Sequence, residues 1–440
     1  MNHSREVVRE PADLRRAPRP PQAPPLVDKK LRSVRLFYGT NRARIEGCEG
    51  VSTVSRRTAS GRCRTSAYYG GVMLPSPEEG TAGLEVGTLA VTFPPIHGKG
   101  KIERPLEVFS FRLRGEDPDQ HVVISELRSF GSDFAAWARE LRATGRDQAF
   151  IYVHGFEHTF EKAALRAAQI AYDLDFDVEE DFRGVPMLFS WPSRGGIDAY
   201  GVDYDVSFES IDAFNRFLDL VKHEAGIRQV HVIAHSMGNR VVTEALLARA
   251  ERQQVGPLVD QLVLAAPDVW ASRFKNKFLR TLPRLAARVT LYVSNQDRAL
   301  IASSKIRKDE PRAGQVEGGL LEASRGVERF DAINASTLET DFLGHGYYAS
   351  HGSMLGDIYC LLKGTPAAGR PLLLLAGPAW QFRPPVELAA LAAGACRAAA
   401  PAPPAAIPIP EPAAFPWLPV WVLLGAALVV LVIWRLRRGR

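Results

Sequence analysis

The chain has 440 residues, 46% of them hydrophobic and 24% charged, which is the balance of an ordinary globular protein with one large domain and extensions, or with two domains. Its net charge of +6 is unevenly placed: residues 1–64 hold fifteen Lys and Arg against six Asp and Glu, Arg435, Arg437, Arg438 and Arg440 crowd the last six positions, and the long middle is therefore acidic. A nucleic-acid-binding domain would concentrate positive charge on its folded face, so this distribution argues against nucleic acid as a partner.

Residues 1–30 are rich in Pro and Arg (PADLRRAPRPPQAPP) and lack the apolar run of a secretory signal, so they read as a disordered leader. The globular pattern runs over residues 31–364. Its first hundred residues are β-rich, with SVRLFYGT, GTLAVTFP, LEVFSFRL and HVVISEL as strands between turn residues. Strands and helices then alternate. QAFIYVHG is a buried strand, TFEKAALRAAQIAYDL a helix, PMLFSWPS a strand, SFESIDAFNRFLDLVKHEAG a helix, and QVHVIAHS a strand followed by a helix after Asn239. QLVLAAPD, RVTLYVS and ERFDAIN supply further strands, and HGSMLGDIYCLLK a closing helix. Near-continuous apolar strands separated by helices predict an α/β fold, a mostly parallel central sheet with helices on both faces and a β-rich N-terminal extension.

Residues 365–416 turn rich in Ala and Pro and suit an extended spacer, within which GRPLLLLAG is either a last strand or a segment lying on the domain. WLPVWVLLGAALVVLVIW, residues 417–434, carries no charge over about 27 Å of helix at about 1.5 Å per residue. Trp417, Trp421 and Trp434 bracket it and the basic tip 435–440 follows, so it predicts a single-pass C-terminal anchor, in a bacterial inner membrane. The positive-inside bias would put the tip in the cytoplasm and the domain across the membrane. The missing export signal favours a tail anchor with a cytoplasmic domain, and that is the side expected here. The four cysteines, Cys48, Cys63, Cys360 and Cys396, include no C-x-x-C pair and no nearby histidine cluster, which argues against zinc. They read as independent thiols, with a bridge between Cys48 and Cys63 as the alternative in an oxidising compartment.

In such a sheet, ligands bind beyond the C-terminal strand ends, where His154, Trp191, Ser236, Asp268 and Asp297 all fall. The stretch HVIAHSMGNR has the form strand, sharp turn, helix, with Ser236 at its apex and the small residues Ala234 and Gly238 two before and two after it. That spacing departs from the G-x-S-x-G of a nucleophile elbow by one methyl group. The bland alternative is a serine capping a helix. A serine hydroxyl is a weak nucleophile and needs a base, a group to orient that base, and donors for the developing oxyanion. His345 in DFLGHGYY, after the last strand, fits the base, and Asp297 in SNQDRAL, after the preceding strand, fits the orienting acid. Their order along the chain, Ser, Asp, His, is that of an α/β-hydrolase. The backbone N–H groups of Phe156, next to Gly155, and of Met237 fit the oxyanion hole. Asp268 and His351 are the rival acid and base. His235 is expected to point away and pack locally, and His154 to shape its loop. FRGVPMLFSWPSRGGIDAYGVDYD reads as a loop near the pocket mouth.

FYGTNR, VHGFEHTFEKAALRAAQIAYDL, LFSWPSRG, IAHSMGNR, LAAPDV, SNQDRAL and GHGYY, in this order, resemble the DUF900 family of bacterial α/β-hydrolases, described as esterase/lipase-like. The resemblance covers roughly residues 31–363 and implies an α/β-hydrolase fold with Ser236, Asp297 and His345 as its triad. It implies a small-molecule acyl ester as substrate and no cofactor or metal. A thioesterase, amidase or acyltransferase would use the same triad, and a membrane-tethered scaffold would use none of it.

Overall fold

The computed structural model describes residues 25–57, 61–75, 83–105, 107–108, 111–112, 116–174, 184–252, 256–306, 310–338, 346–384 and 387. Among these, thirteen strands form one sheet. Its centre is parallel: β4 (Gln148–Val153) lies between β5 (Val185–Ser190) and β6 (Gln229–His235), and β6 is followed outward by β7 (Val259–Ala265), β8 (Ala286–Val293) and β9 (Phe330–Asn334). On the other side, β1 (Ser33–Thr40) pairs in parallel with β5, then β2 (Glu85–Thr92) and β3 (Val123–Gly131) continue antiparallel. The β-rich start of the chain is thus an edge of the central sheet, and β1 is built into its parallel part.

Period-two alternation divides the core into two layers. In β4, Ala149, Ile151 and Val153 join one buried cluster and Phe150 and Tyr152 the other; in β6, Val232 and Ala234 oppose Ile233. The first layer is closed by α1 (Phe134–Ala143), α3 (Tyr200–Glu209), the helix Ile211–Asp219 and α4 (Gly238–Glu251). The second is closed by α2 (Phe160–Asp173), α5 (Arg298–Ile306) and α6 (Gly352–Leu362). Both faces are covered, which is why the central strands carry no polar alternation.

Three local expectations are corrected and one open alternative is decided. LEVFSFRL is not one strand, because Glu107–Val108 and Phe111–Arg112 pair antiparallel with each other. SFESIDAFNRFLDLVKHEAG is not one helix, because α3 ends at Glu209 and a second helix starts at Ile211. GRPLLLLAG, left open above, is a strand: β10 (Leu373–Ala376) pairs antiparallel with β11 (Ala379–Phe382), which pairs in parallel with β9, so the sheet continues into the stretch read as spacer. Cys48 and Cys63 are bridged, with Cα atoms 5.3 Å apart. The antiparallel pairing of Arg42–Arg44 with Tyr69–Met73 sets the two flanks side by side, which no local spacing reveals.

Among the described residues no helix is long and apolar enough to cross a membrane. The predicted span 417–434, the basic tip, residues 1–24 of the leader and most of the spacer lie outside them.

One polar clip ties the segment before β3 to α2. His97 sits between Glu103 (Nδ1 to Oε2, 2.9 Å) and Asp173 (Nε2 to Oδ1, 3.1 Å), against the rings of Phe93 and Tyr172. Burial lowers its pKa, but the bonds to Asp173 and Glu103 outweigh burial and the net shift is upward. A raised folded pKa gives stability that is full below the unfolded value of about 6.5 and is lost as pH rises through the folded value. Thermal melts between pH 5 and 9 should therefore show the native chain losing part of its advantage over His97→Gln as the pH climbs; a constant gap would show that the ring is neutral in the clip.

Candidate active site

The register of the sheet levels the C-terminal strand ends. Val153 of β4 faces Phe189 of β5 and Ala234 of β6, Ser190 faces Thr40 of β1, and His235 faces Ala265 of β7. The residues just past these ends, His154, Trp191, Arg42, Ser236 and Ala266, consequently gather along one edge. Backbone strain gathers there too: Glu157, Ser236 and Ala266 adopt left-handed backbone at φ 62°, 51° and 46°. Such non-glycine positions persist only where surrounding contacts over-determine them.

Those contacts are visible at Ser236. Its N–H donates to Ala265 O at 3.0 Å, and its carbonyl accepts from Asn239 N, Asn239 Nδ2 and Asp268 N at 3.0–3.2 Å. The neighbouring backbones come closer than side chains would permit. A Cβ on Gly238 would stand 2.3 Å from His154 O, and one on Gly155 would stand 2.7 Å from Ser236 Cβ. The two positions flanking the oxyanion hole expected from sequence therefore require glycine for space. Ser236 itself lines a cleft of about 460 Å³ with Phe156, Tyr200, Leu300, Ile306 and Tyr348 among its apolar walls.

The family model described as alpha/beta hydrolase of unknown function, DUF900, matches residues 132–362, more than half of the chain. The chain belongs to the DUF900 family. Its fold is accordingly alpha/beta-hydrolase-like, and the protein is a member of a hydrolase family. An uncharacterized protein of Nostoc sp. (strain PCC 7120) is 24% identical over 243 residues, which are 44% of this chain and 62% of that relative. The match thus spans less than two thirds of the relative's length. A solved lipase-esterase related protein from Clostridium acetobutylicum ATCC 824 is 12% identical, with 50% of this chain and 94% of that one covered at a TM-score of 0.27.

The other residues singled out in the sequence are placed as follows. Phe156 and Met237 stand on the two turns that meet at Ser236, Phe156 in the cleft wall and Met237 fully buried at the start of α4. Asp297 follows β8 on the same sheet edge and is fully buried, its Oδ1 accepting the N–H of Leu300 at 3.0 Å, which caps α5. His345 lies outside the described residues; Gly346, next to it, lines the cleft. The rival base, His351, accepts Ser353 N–H at Nδ1 and caps α6. The rival acid, Asp268, lines the cleft but is engaged: it accepts the hydroxyls of Tyr200 (2.8 Å) and Ser303 (2.7 Å) and pairs with Arg312 (3.2 Å). His235 differs from expectation. It lines the cleft, with its ring stacked on Tyr348 at 4.1 Å, because as the last residue of β6 it shares the strand face of Ile233, on which Tyr348 packs.

Sequence reasoning missed Arg42. It is fully buried and binds Ser190 Oγ, Gly70 O, Ser193 O, His158 O and His154 Nε2, so one guanidinium fixes three segments of the site edge. Burial pulls its pKa down to about 9 against the nearby Asp203 carboxylate, which leaves it charged at neutral pH. Burial and that cation together push His154 well below the usual histidine range. The neutral ring donates from Nδ1 to Gly155 O at 2.8 Å and accepts at Nε2, which fixes its tautomer and orients the Gly155–Phe156 peptide. FYGTNR, the motif that holds Arg42, was the available signal, but a role 112 residues from His154 cannot be read from spacing.

Proposed function

We propose that the protein is a serine hydrolase that cleaves a carboxylic ester through an acyl-enzyme. The observation that carries this reading is Ser236, held at φ 51° between strand and helix in the wall of an apolar cleft. In this reading Ser236 Oγ attacks the ester carbonyl while His345 takes its proton, and Asp297 holds the imidazole in one tautomer. The N–H groups of Phe156 and Met237 stabilise the oxyanion. The C–O bond to the alcohol then breaks, and His345 protonates the leaving oxygen. Water attacks the acyl carbon with His345 again as base, releasing the acid and restoring the serine. The glycine-dependent approach of Gly155 to Ser236 and of Gly238 to His154 O supports the oxyanion assignment. Intact-mass spectrometry of the full chain after fluorophosphonate treatment tests it. One adduct is expected on the parent, none on Ser236→Ala and slow addition on His345→Ala; a folded parent that takes no adduct overturns the reading.

We further propose that residues 417–434 span a membrane and hold the domain on its oxidising side. The Cys48–Cys63 bridge supports that side, since such bonds persist in oxidising compartments and are rare in the cytosol. The basic tip supports it as well, by favouring the cytoplasmic face. This is the opposite side from the cytoplasmic one expected from the sequence. In a bacterial host, green fluorescent protein fused after Arg440 should fluoresce and alkaline phosphatase fused there should stay inactive; the opposite pattern would place the domain in the cytoplasm.

A further inference from the structure

We infer that the cleft takes an ester bearing an anionic group, carboxylate or phosphate, and that Arg166 is the residue that receives it. The inference rests on the hydrolase reading above and adds its substrate class. The cleft around Ser236 is walled mainly by apolar groups, yet among the described residues five charged ones line it: Glu157, Lys162, Arg166, Asp268 and Arg298. The two carboxylates are already engaged. Asp268 is held by Arg312, Tyr200 and Ser303, and Glu157 faces Lys162 at 3.7 Å, a pair exposed enough to be weak.

Lys162 and Arg166 are four residues apart on α2, so their side chains lie one above the other on the same helix face. Like charges at that spacing are disfavoured in an isolated helix, and here neither is placed to be neutralised by its own helix. Glu161, the acid in the first turn, is engaged by Arg104 at 2.5 Å. Arg166 is instead positioned by a neutral group, donating from Nη1 to Gln169 Oε1 at 2.7 Å. Gln169 is in turn anchored to Asp173 Oδ2 and Ala349 O. The guanidinium is thereby oriented without its charge being matched by that contact. A planar fork of N–H donors at the end of an apolar slot suits a carboxylate or phosphate oxyanion.

The geometry also places the charge relative to the ester. Lys162, Arg166 and His158 line both the Ser236 cleft and an adjoining cavity of about 500 Å³, so the cations stand on the ridge between the two. The Ser236 side of that ridge is formed by Tyr348, which stacks on His235 and bonds Tyr152 at 2.6 Å. A substrate reaching from Ser236 to Arg166 must therefore carry its ester and its anion at separate places, joined by an apolar segment that fits the wall.

The test compares 4-nitrophenyl hexanoate with the mono-4-nitrophenyl ester of adipic acid, which adds a terminal carboxylate to the same six-carbon acyl chain, and with the corresponding 6-phosphonooxyhexanoate. With the full chain in detergent, kcat/KM for at least one charged ester should exceed that for the neutral one by about tenfold or more, as a charged hydrogen bond implies. The better charged ester tells carboxylate from phosphate. Arg166→Met should bring the charged-to-neutral ratio close to one, and Arg166→Lys should restore part of it. Equal rates for all three esters, or an equal loss on all three in Arg166→Met, would overturn the inference. Calorimetric binding of hexyl phosphate and hexanoate against hexanol to the Ser236→Ala chain needs no turnover. Charge-selective binding with an unlabelled Ser236 would sink the hydrolase reading alone; a labelled Ser236 without charge preference would sink this inference alone.

Discussion

With Ser236 and His345 as the proposed nucleophile and base, alanine at Ser236 is expected to lower ester turnover by on the order of 10⁶-fold, and alanine at His345 by a similar amount, because such a pair acts as one unit. Asp297→Asn should cost on the order of 10⁴-fold, since an amide in place of the carboxylate turns the imidazole to the wrong tautomer. The double variant Ser236→Ala/His345→Ala should be no worse than either single one. Residual turnover above that in buffer would come from the backbone donors of Phe156 and Met237, which neither substitution touches. Asp268→Asn separates the rival assignment. Its carboxylate is engaged by Arg312, Tyr200 and Ser303, so the amide should lower stability by disturbing that network and leave the tautomer of the base alone. Initial rates with a nitrophenyl ester, beside melts of the same samples, decide between the two. A 10⁴-fold loss in Asp268→Asn with Asp297→Asn near native would exchange their roles.

The elbow was legible in sequence because its requirement is local. A sharp strand-to-helix turn brings backbones together, and only small residues at 234 and 238 allow that approach; the 2.3 Å from a Gly238 Cβ to His154 O is the same constraint seen in space. The alternation of strands and helices was legible for the same reason, as each central strand must be apolar on both faces. What was not legible depends on register between distant segments. Arg42 reaches Ser190 across 148 positions, and Tyr200 meets Ser303 across 103 to hold Asp268. The Cys48–Cys63 bridge follows from the antiparallel pairing of Arg42–Arg44 with Tyr69–Met73, which brings the two flanks together, and not from the fourteen residues between the cysteines. His235 faced the cleft for a reason also missed: as the last residue of β6 it stands on the strand face of Ile233, against which Tyr348 packs.

The end of the domain makes the strongest stability test. Arg370 lies beyond the boundary drawn at Gly364 from composition, yet its side chain is fully buried. It donates from Nη1 to Asp357 Oδ2 of α6 at 2.9 Å, and from Nη2 toward Asp331 of β9 at 3.4 Å, while Tyr292 of β8 donates to Asp357 Oδ2 at 2.6 Å. One guanidinium therefore joins the closing helix, two strands and the approach to β10. Burial raises the pKa of Asp357, opposed by the charge of Arg370 and the Tyr292 hydroxyl. Arg370→Met would remove the opposing cation and leave a carboxylate with no solvent and no countercharge, at a cost of about 3–5 kcal/mol. The deficit should narrow at acid pH. Without Arg370 the folded pKa of Asp357 rises further above its unfolded value, so the penalty is absent where both states are protonated and grows until the pH passes the folded pKa. Adding Asp357→Leu should recover much of the loss, because the uncompensated charge goes with it. Urea midpoints of the single and double variants at pH 5 and pH 8 measure all three effects. A loss below about 1 kcal/mol in Arg370→Met, the size of an exposed pair, would show that water reaches Asp357 and that the C-terminal hairpin is not sealed onto the sheet.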